Sequence, residues 1–180
     1  MALQRVVIDG YGQLELNAVA FRRSGRIEAQ CALHAVDFDK VPAENGMLLA
    51  VNNIHRVVGF VKSGNVYPIA LNYTSEHMYD ERHNALKDFK LERGSFLPRL
   101  GYLGAGDKYT TNCLAYDDTE FDSEDVLKGE LERLNTKPFY AKACENGAHQ
   151  ITADATDAVA LVIGVTTMPD GQFALKFQAL

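Results

Sequence analysis

Strict alternation of apolar and polar residues most constrains what this chain can become. Leu14, Leu16, Ala18 and Ala20 alternate with Glu15 and Asn17, and Ile27, Ala29, Cys31, Leu33 and Ala35 alternate with Glu28, Gln30 and His34. A period of two belongs to a pleated strand with one buried face. Arg23-Ser24-Gly25 parts the two runs as a turn does, so they read as an antiparallel hairpin. A short strand at residues 6–8, ending in Asp9-Gly10-Tyr11-Gly12, precedes them. The start of the chain thus reads as a three-strand meander. It can stand as its own lobe or arm, residues 1–40, beside a β core at residues 44–180, within one β-rich unit of residues 1–180.

Strand patterns continue at residues 47–51, 56–62 and 67–71, separated by Asn52-Asn53 and Ser63-Gly64-Asn65. Residues 96–103 and 108–116 flank Gly104-Ala105-Gly106-Asp107, which reads as a glycine-rich hairpin turn. Residues 158–166 and 173–179 flank Met168-Pro169-Asp170-Gly171, a tight-turn tetrapeptide. Helical signal is thin. Leu127, Leu131 and Leu134 share a face over residues 123–134, with Asp122 or Ser123 as cap and Glu124 and Asp125 suited to the positive end of the dipole. A second short helix is expected over residues 82–89. The fold class is therefore mainly β, an antiparallel sandwich or barrel with one or two short helices.

Charge narrows the function classes. Among 180 residues, 18 Lys and Arg face 24 Asp and Glu, a net charge of −6. Nucleic-acid binding depends on concentrated cations, so it is not expected. The longest apolar run, residues 158–165, is far short of the roughly 20 residues that span a bilayer, so no membrane partner is expected. MALQRVVIDG carries no secretory pattern, and Cys31, Cys113 and Cys144 are too few and odd in number for a disulfide framework. Synthesis in the cytoplasm with reduced thiols follows.

Each candidate site meets a plainer reading. His77, Asp80, Glu81 and His83 form the densest cluster of catalytic residue types, but six residues part the histidines and no metal-binding helix spacing exists. A solvated loop is favoured. The stretch from Gly101 to Lys108 lacks the Gly-Lys-Ser/Thr ending of a phosphate loop. Asp117, Asp118, Glu120, Asp122, Glu124 and Asp125 offer oxygens to calcium, yet lack the glycine of an EF-hand turn. Cys31 and His34 point to opposite faces of a strand, whereas Cys144 and His149 straddle the Asn146-Gly147 turn and can approach. Arg22, Arg23 and Arg26, and Lys87, Lys90 and Arg93, are interleaved with acids and read as solvated surface. Asn72-Tyr73-Thr74 matches the glycosylation sequon, which carries weight only in a secreted chain. No residue is assigned as catalytic, cofactor-binding or metal-ligating, and no cofactor is expected.

Glu44-Asn45-Gly46-Met47-Leu48-Leu49-Ala50-Val51, then Val57-Val58-Gly59-Phe60 and Tyr67-Pro68-Ile69-Ala70, resembles phage head decoration proteins. Tyr79-Asp80-Glu81-Arg82, Leu86-Lys87-Asp88-Phe89, residues 96–103, residues 106–112, Thr167-Met168-Pro169-Asp170-Gly171-Gln172 and Ala174-Leu175-Lys176-Phe177-Gln178 are similar to segments of tailed-phage virion proteins. The resemblance implies a small β-tulip-like fold, no catalysis, and a capsid decoration or cement protein that stabilises the phage head shell. It implies the major capsid protein as partner, a homo-oligomer, and a place on the head surface of the virion. The alternatives are a tail or receptor-binding β module, and a metal-dependent hydrolase built on His77, Asp80, Glu81 and His83.

Overall fold

The computed structural model describes residues 2–21, 25–74 and 86–180. Their strands are β1 (Leu3–Arg5), β2 (Leu14–Ala18), β3 (Ile27–Glu28), β4 (Ala32–Leu33), β5 (Leu48–Asn52), β6 (Val57–Phe60) and β7 (Ile69–Asn72). They continue with β8 (Leu100–Gly101), β9 (Lys108–Thr111), β10 (Leu114–Asp117), β11 (Tyr140–Ala143), β12 (His149–Thr152), β13 (Ala160–Thr167) and β14 (Phe173–Ala179). One helix, α1 (Glu124–Leu131), and a 3₁₀ turn, Leu86–Asp88, complete the regular structure among the described residues. The chain is mainly β, a sandwich of two sheets.

The first sheet has eight strands in the order β1-β10-β12-β11-β13-β14-β9-β2, and the second has six, β3-β8-β7-β5-β6-β4. Only Asn112 and Cys113 link β9 to β10, yet four strands separate them in the first sheet. Three Cα steps reach about 11 Å, whereas five strand spacings in a flat sheet need about 24 Å. The first sheet is therefore rolled. Its interior shows the closure directly, because His149 on β12 hydrogen-bonds Tyr109 on β9 at 3.0 Å and stacks on Phe177 of β14.

Each sheet contributes to two cores, because β-strands with apolar residues on both faces serve both. Leu48, Leu71, Tyr109, Leu114, Ile151, Leu175 and Phe177 share one cluster with Leu127 and Leu131 of α1. Leu49, Val51, Val58 and Ala70 pack with Cys113, Ala115, Cys144 and Ala148 in the other. Arg5, partly buried, closes an ion pair with Glu44 at 2.9 Å, and the same carboxylate accepts the Gly12 N–H at 2.8 Å. That seam fastens the N-terminal segment to the body.

The expected meander does not form. β1 pairs with β10, β2 with β9, β3 with β8 and β4 with β6, so the early strands are spread over both sheets rather than gathered in an arm. Residues 6–8 follow β1 instead of forming a strand, and the alternating run at 27–35 yields two two-residue strands in separate places. Nor are the sheets purely antiparallel: β10 pairs parallel with β12, and β4 with β6. The first pair needs a crossover, which α1 and β11 supply. The glycine-rich segment after Gly101 is no hairpin, since β8 lies in one sheet and β9 in the other. The β13–β14 hairpin forms as its turn chemistry requires.

Candidate functional site

A trough of about 550 Å³ lies on the outer face of the β5–β6 hairpin. Its floor is made of small side chains, Ala50 and Gly59, between a loop carrying His34 and Asp37 and a loop running from Lys62 to Tyr67. Gly59 leaves room for Asp37, because a Cβ at that position would stand 2.3 Å from the carboxylate and displace it. Asp37 is buried against the strand and accepts the Phe60 N–H at 3.1 Å and Lys62 Nζ at 2.6 Å. His34 Nδ1 lies 3.3 Å from the same carboxylate. Burial alone raises the Asp37 pKa, but the hydrogen bonds from Lys62 and Phe60 outweigh it and hold the carboxyl below its ordinary range.

The rim differs in character. Val66 is 83% exposed and Tyr67 38%. A paired charge at the base of a concavity with apolar residues at its lip is the make-up of a recognition surface: the apolar part gains from burial and the polar part fixes orientation. The trough holds no activated nucleophile. Ser63 lines it, but the one carboxylate–histidine pair is engaged with Lys62.

The thiols and the central histidine are consumed by packing. Cys144 Sγ lies 3.0 Å from Ala148 O and 3.1 Å from Asn146 Oδ1, within the β11–β12 turn, and not on His149. Burial pushes the Cys113 thiol up to about 12 and Cys144 up to about 11, so neither is a thiolate near neutrality. His149 Nδ1 lies 3.3 Å from the Cys113 carbonyl, which can only accept; Nδ1 carries the proton and Nε2 accepts from the Tyr109 hydroxyl. Cys31 is buried with Sγ 3.6 Å from Asn53 Oδ1, while His34 lines the trough; the two flank the two-residue β4 and are not part of it.

Other candidates are tied into the fold. Within the acidic stretch, Asp118 accepts the Ala2 N–H at 3.0 Å, Glu120 that of Ala153 at 2.6 Å and Glu124 that of Val7 at 2.9 Å. Asp117 accepts from its neighbour Thr119. These carboxylates stitch loops together. Among the described residues no group of three or more His, Cys, Asp and Glu is placed to hold a metal ion. Asp107 accepts the Gly104 N–H at 2.8 Å and pairs with Arg26 at 3.2 Å, closing the turn that a phosphate would need open. Lys87 pairs with Asp9, and Lys90 with Glu92 at 2.9 Å. Asn72 of the sequon is fully buried and donates to Glu44 O at 2.8 Å, out of reach of glycosylation in the folded chain.

His77, Asp80, Glu81 and His83, with Arg22 and Arg23, lie outside the described residues. The trough itself escaped sequence reading, which weighed His34 only against Cys31. Asp37, His55 and the pair Lys62 and Tyr67 come from three separate loops, and no local spacing announces that the β5–β6 hairpin brings them together. The run of apolar residues at 158–165 becomes the start of β13, and among the described residues no helix is long and apolar enough to cross a membrane. The chain matches no described protein family, no curated protein and no solved structure.

Proposed function

We propose that this chain is a virion structural protein that docks on a phage head shell as a decoration or cement protein, without catalysis. The observation that carries this reading is the trough on the β5–β6 hairpin, with Val66 and Tyr67 exposed along it beside the Asp37–Lys62 pair. Two of the segments behind the resemblance to decoration proteins, around Gly46 to Val51 and Tyr67 to Ala70, build most of β5 and the start of β7, which pair directly. The chemistry-bearing thiols and His149 are spent on the core, which leaves recognition rather than reaction as the use of the surface. A protein that binds the assembled shell and not its free subunits stabilises the shell by RT ln(1 + [L]/Kd) per site.

Co-sedimentation with mature, undecorated shells tests the reading, with immature shells for comparison. Saturable binding to the mature shell at a fixed ratio to capsid subunits is expected. Val66→Asp puts a charge on the rim and weakens binding tenfold or more. Val7→Asp, equally exposed but beside α1, leaves it unchanged. Absence of binding at micromolar protein overturns the shell reading, and equal binding by Val66→Asp removes the trough from the contact.

A further inference from the structure

β14 covers β13 along its length, but on the other side β13 is covered only at its beginning. β11 pairs with Ala160 and Leu161, and Phe139 O accepts the Val162 N–H at 2.9 Å. β11 starts at Tyr140, so its cover ends there, and a bulge between Val162 and Gly164 follows on β13. From Gly164 to Thr167 the register with β14 is regular, and no second strand lies on the outer side among the described residues. Alternate N–H and C=O groups of an antiparallel strand point to opposite sides, so part of this stretch offers unpaired backbone donors and acceptors. Ile163 is 38% exposed and Val165 46%, with Thr166 and Thr167 exposed beside them.

The remaining edges are less inviting. β1 has three residues, β3 and β4 two each, and β2 carries Glu15 and a bulge between Leu16 and Ala18. The stretch from Ala158 to Met168 contains no charged residue and no proline, in a chain of which 23% is charged. Antiparallel pairing about a twofold axis sets each residue against the one equally far beyond the axis, so a charge on the central residue meets its own like and a charge elsewhere is repeated on both copies. An uncharged strand is suited to that meeting, and it offers nothing by which a charged foreign strand would be selected.

We propose that residues 163–167 of β13 pair antiparallel with the same segment of a second copy of this chain, joining two rolled sheets through one strand–strand junction. The contact is small beside the roughly 1,200–2,000 Å² of a stable interface, so the dimer is weak in dilute solution. Copies held close on a scaffold pair far more readily, through effective concentration. With −6 on each copy, long-range repulsion opposes association, and added salt strengthens the dimer rather than dissolving it. The proposal does not depend on shell binding.

Sedimentation equilibrium of the purified chain, from micromolar to submillimolar protein and at two salt concentrations, reads the association. A reversible monomer–dimer equilibrium that tightens with salt is expected. Val165→Lys and Val165→Glu each weaken it tenfold or more, and an equimolar mixture of the two recovers it. Thermal melts of both variants near that of the unsubstituted chain establish that they fold. Val66→Asp leaves the dimer intact. A monomer at every concentration, a dimer indifferent to Val165→Lys, or no recovery on mixing overturns the proposal.

Discussion

Held between Tyr109 and Phe177 in the rolled sheet, the His149 ring is fully buried, and burial lowers its pKa to about 3 from the ordinary value near 6.5. The folded chain therefore keeps His149 neutral at a pH where the unfolded chain protonates it. Between about pH 6.5 and pH 3 the unfolded state binds more protons, so stability falls as pH falls, by about 1.4 kcal/mol per pH unit from this one group. His149→Phe is expected to remove that component of the slope. At neutral pH it costs about 1–3 kcal/mol, because the buried Tyr109 hydroxyl loses its partner, while the Cys113 carbonyl keeps the backbone N–H of residue 149 at 2.9 Å. Denaturant melts of both chains from pH 4 to pH 8 check this; parallel curves refute it. The sequence placed His149 near a turn and within reach of Cys144. It did not reveal the burial, which comes from strands far apart in the chain.

Elements were legible where their signals are local. Ser123 caps α1, its hydroxyl accepting the Val126 N–H at 3.3 Å, and Leu127 and Leu131 are buried as their spacing requires. Ser123→Ala is expected to cost about 1 kcal/mol. Gly129 has open space where a Cβ would go, so Gly129→Ala is expected to stabilise by about 0.5–1 kcal/mol. Thermal unfolding of the two variants should move in opposite directions, and movement the same way contradicts the helix account. Of the second expected helix, residues 82–85 lie outside the described part and Leu86–Asp88 form a 3₁₀ turn. The single strand expected at 108–116 breaks at Asn112 and Cys113, where Asn112 Oδ1 accepts the Gln13 N–H at 2.6 Å. That break joins distant parts of one sheet, and only the sheet's curvature permits it. β11 and β12 were not expected as strands; Tyr140-Ala141-Lys142-Ala143 carries little β-propensity of its own, and its pairing with β12 supplies what the sequence lacks.

At the scale of the molecule, the N-terminal segment decides whether the chain is one unit or a core with an arm. Removing residues 2–36 deletes β1 to β4, both edges of the rolled sheet and both edges of the second. It also removes buried Leu14, Phe21, Cys31 and Leu33. Loss of large buried side chains costs about 2–5 kcal/mol each, which over these residues is as large as the roughly 5–15 kcal/mol typical of a whole domain. The truncated chain is expected to lose its cooperative unfolding transition, whereas a detachable arm would leave the melting temperature nearly unchanged. Circular dichroism melts distinguish the two.

Local patterning is enough for the class: a chain of short alternating strands and turns, with one capped helix and a closing hairpin, has to bury its faces in packed sheets. Cys31 and His34 do part, the thiol to the core and the imidazole to the trough, although only Ala32 and Leu33 between them are strand. Tertiary structure alone decided which strands meet, because pairing depends on closure over long stretches of chain rather than on neighbouring residues. That is why the early strands are dispersed, the first sheet rolls, and two pairs run parallel. It is also why the trough at Asp37 and Lys62, and the open edge of β13, exist only once the strands are assembled.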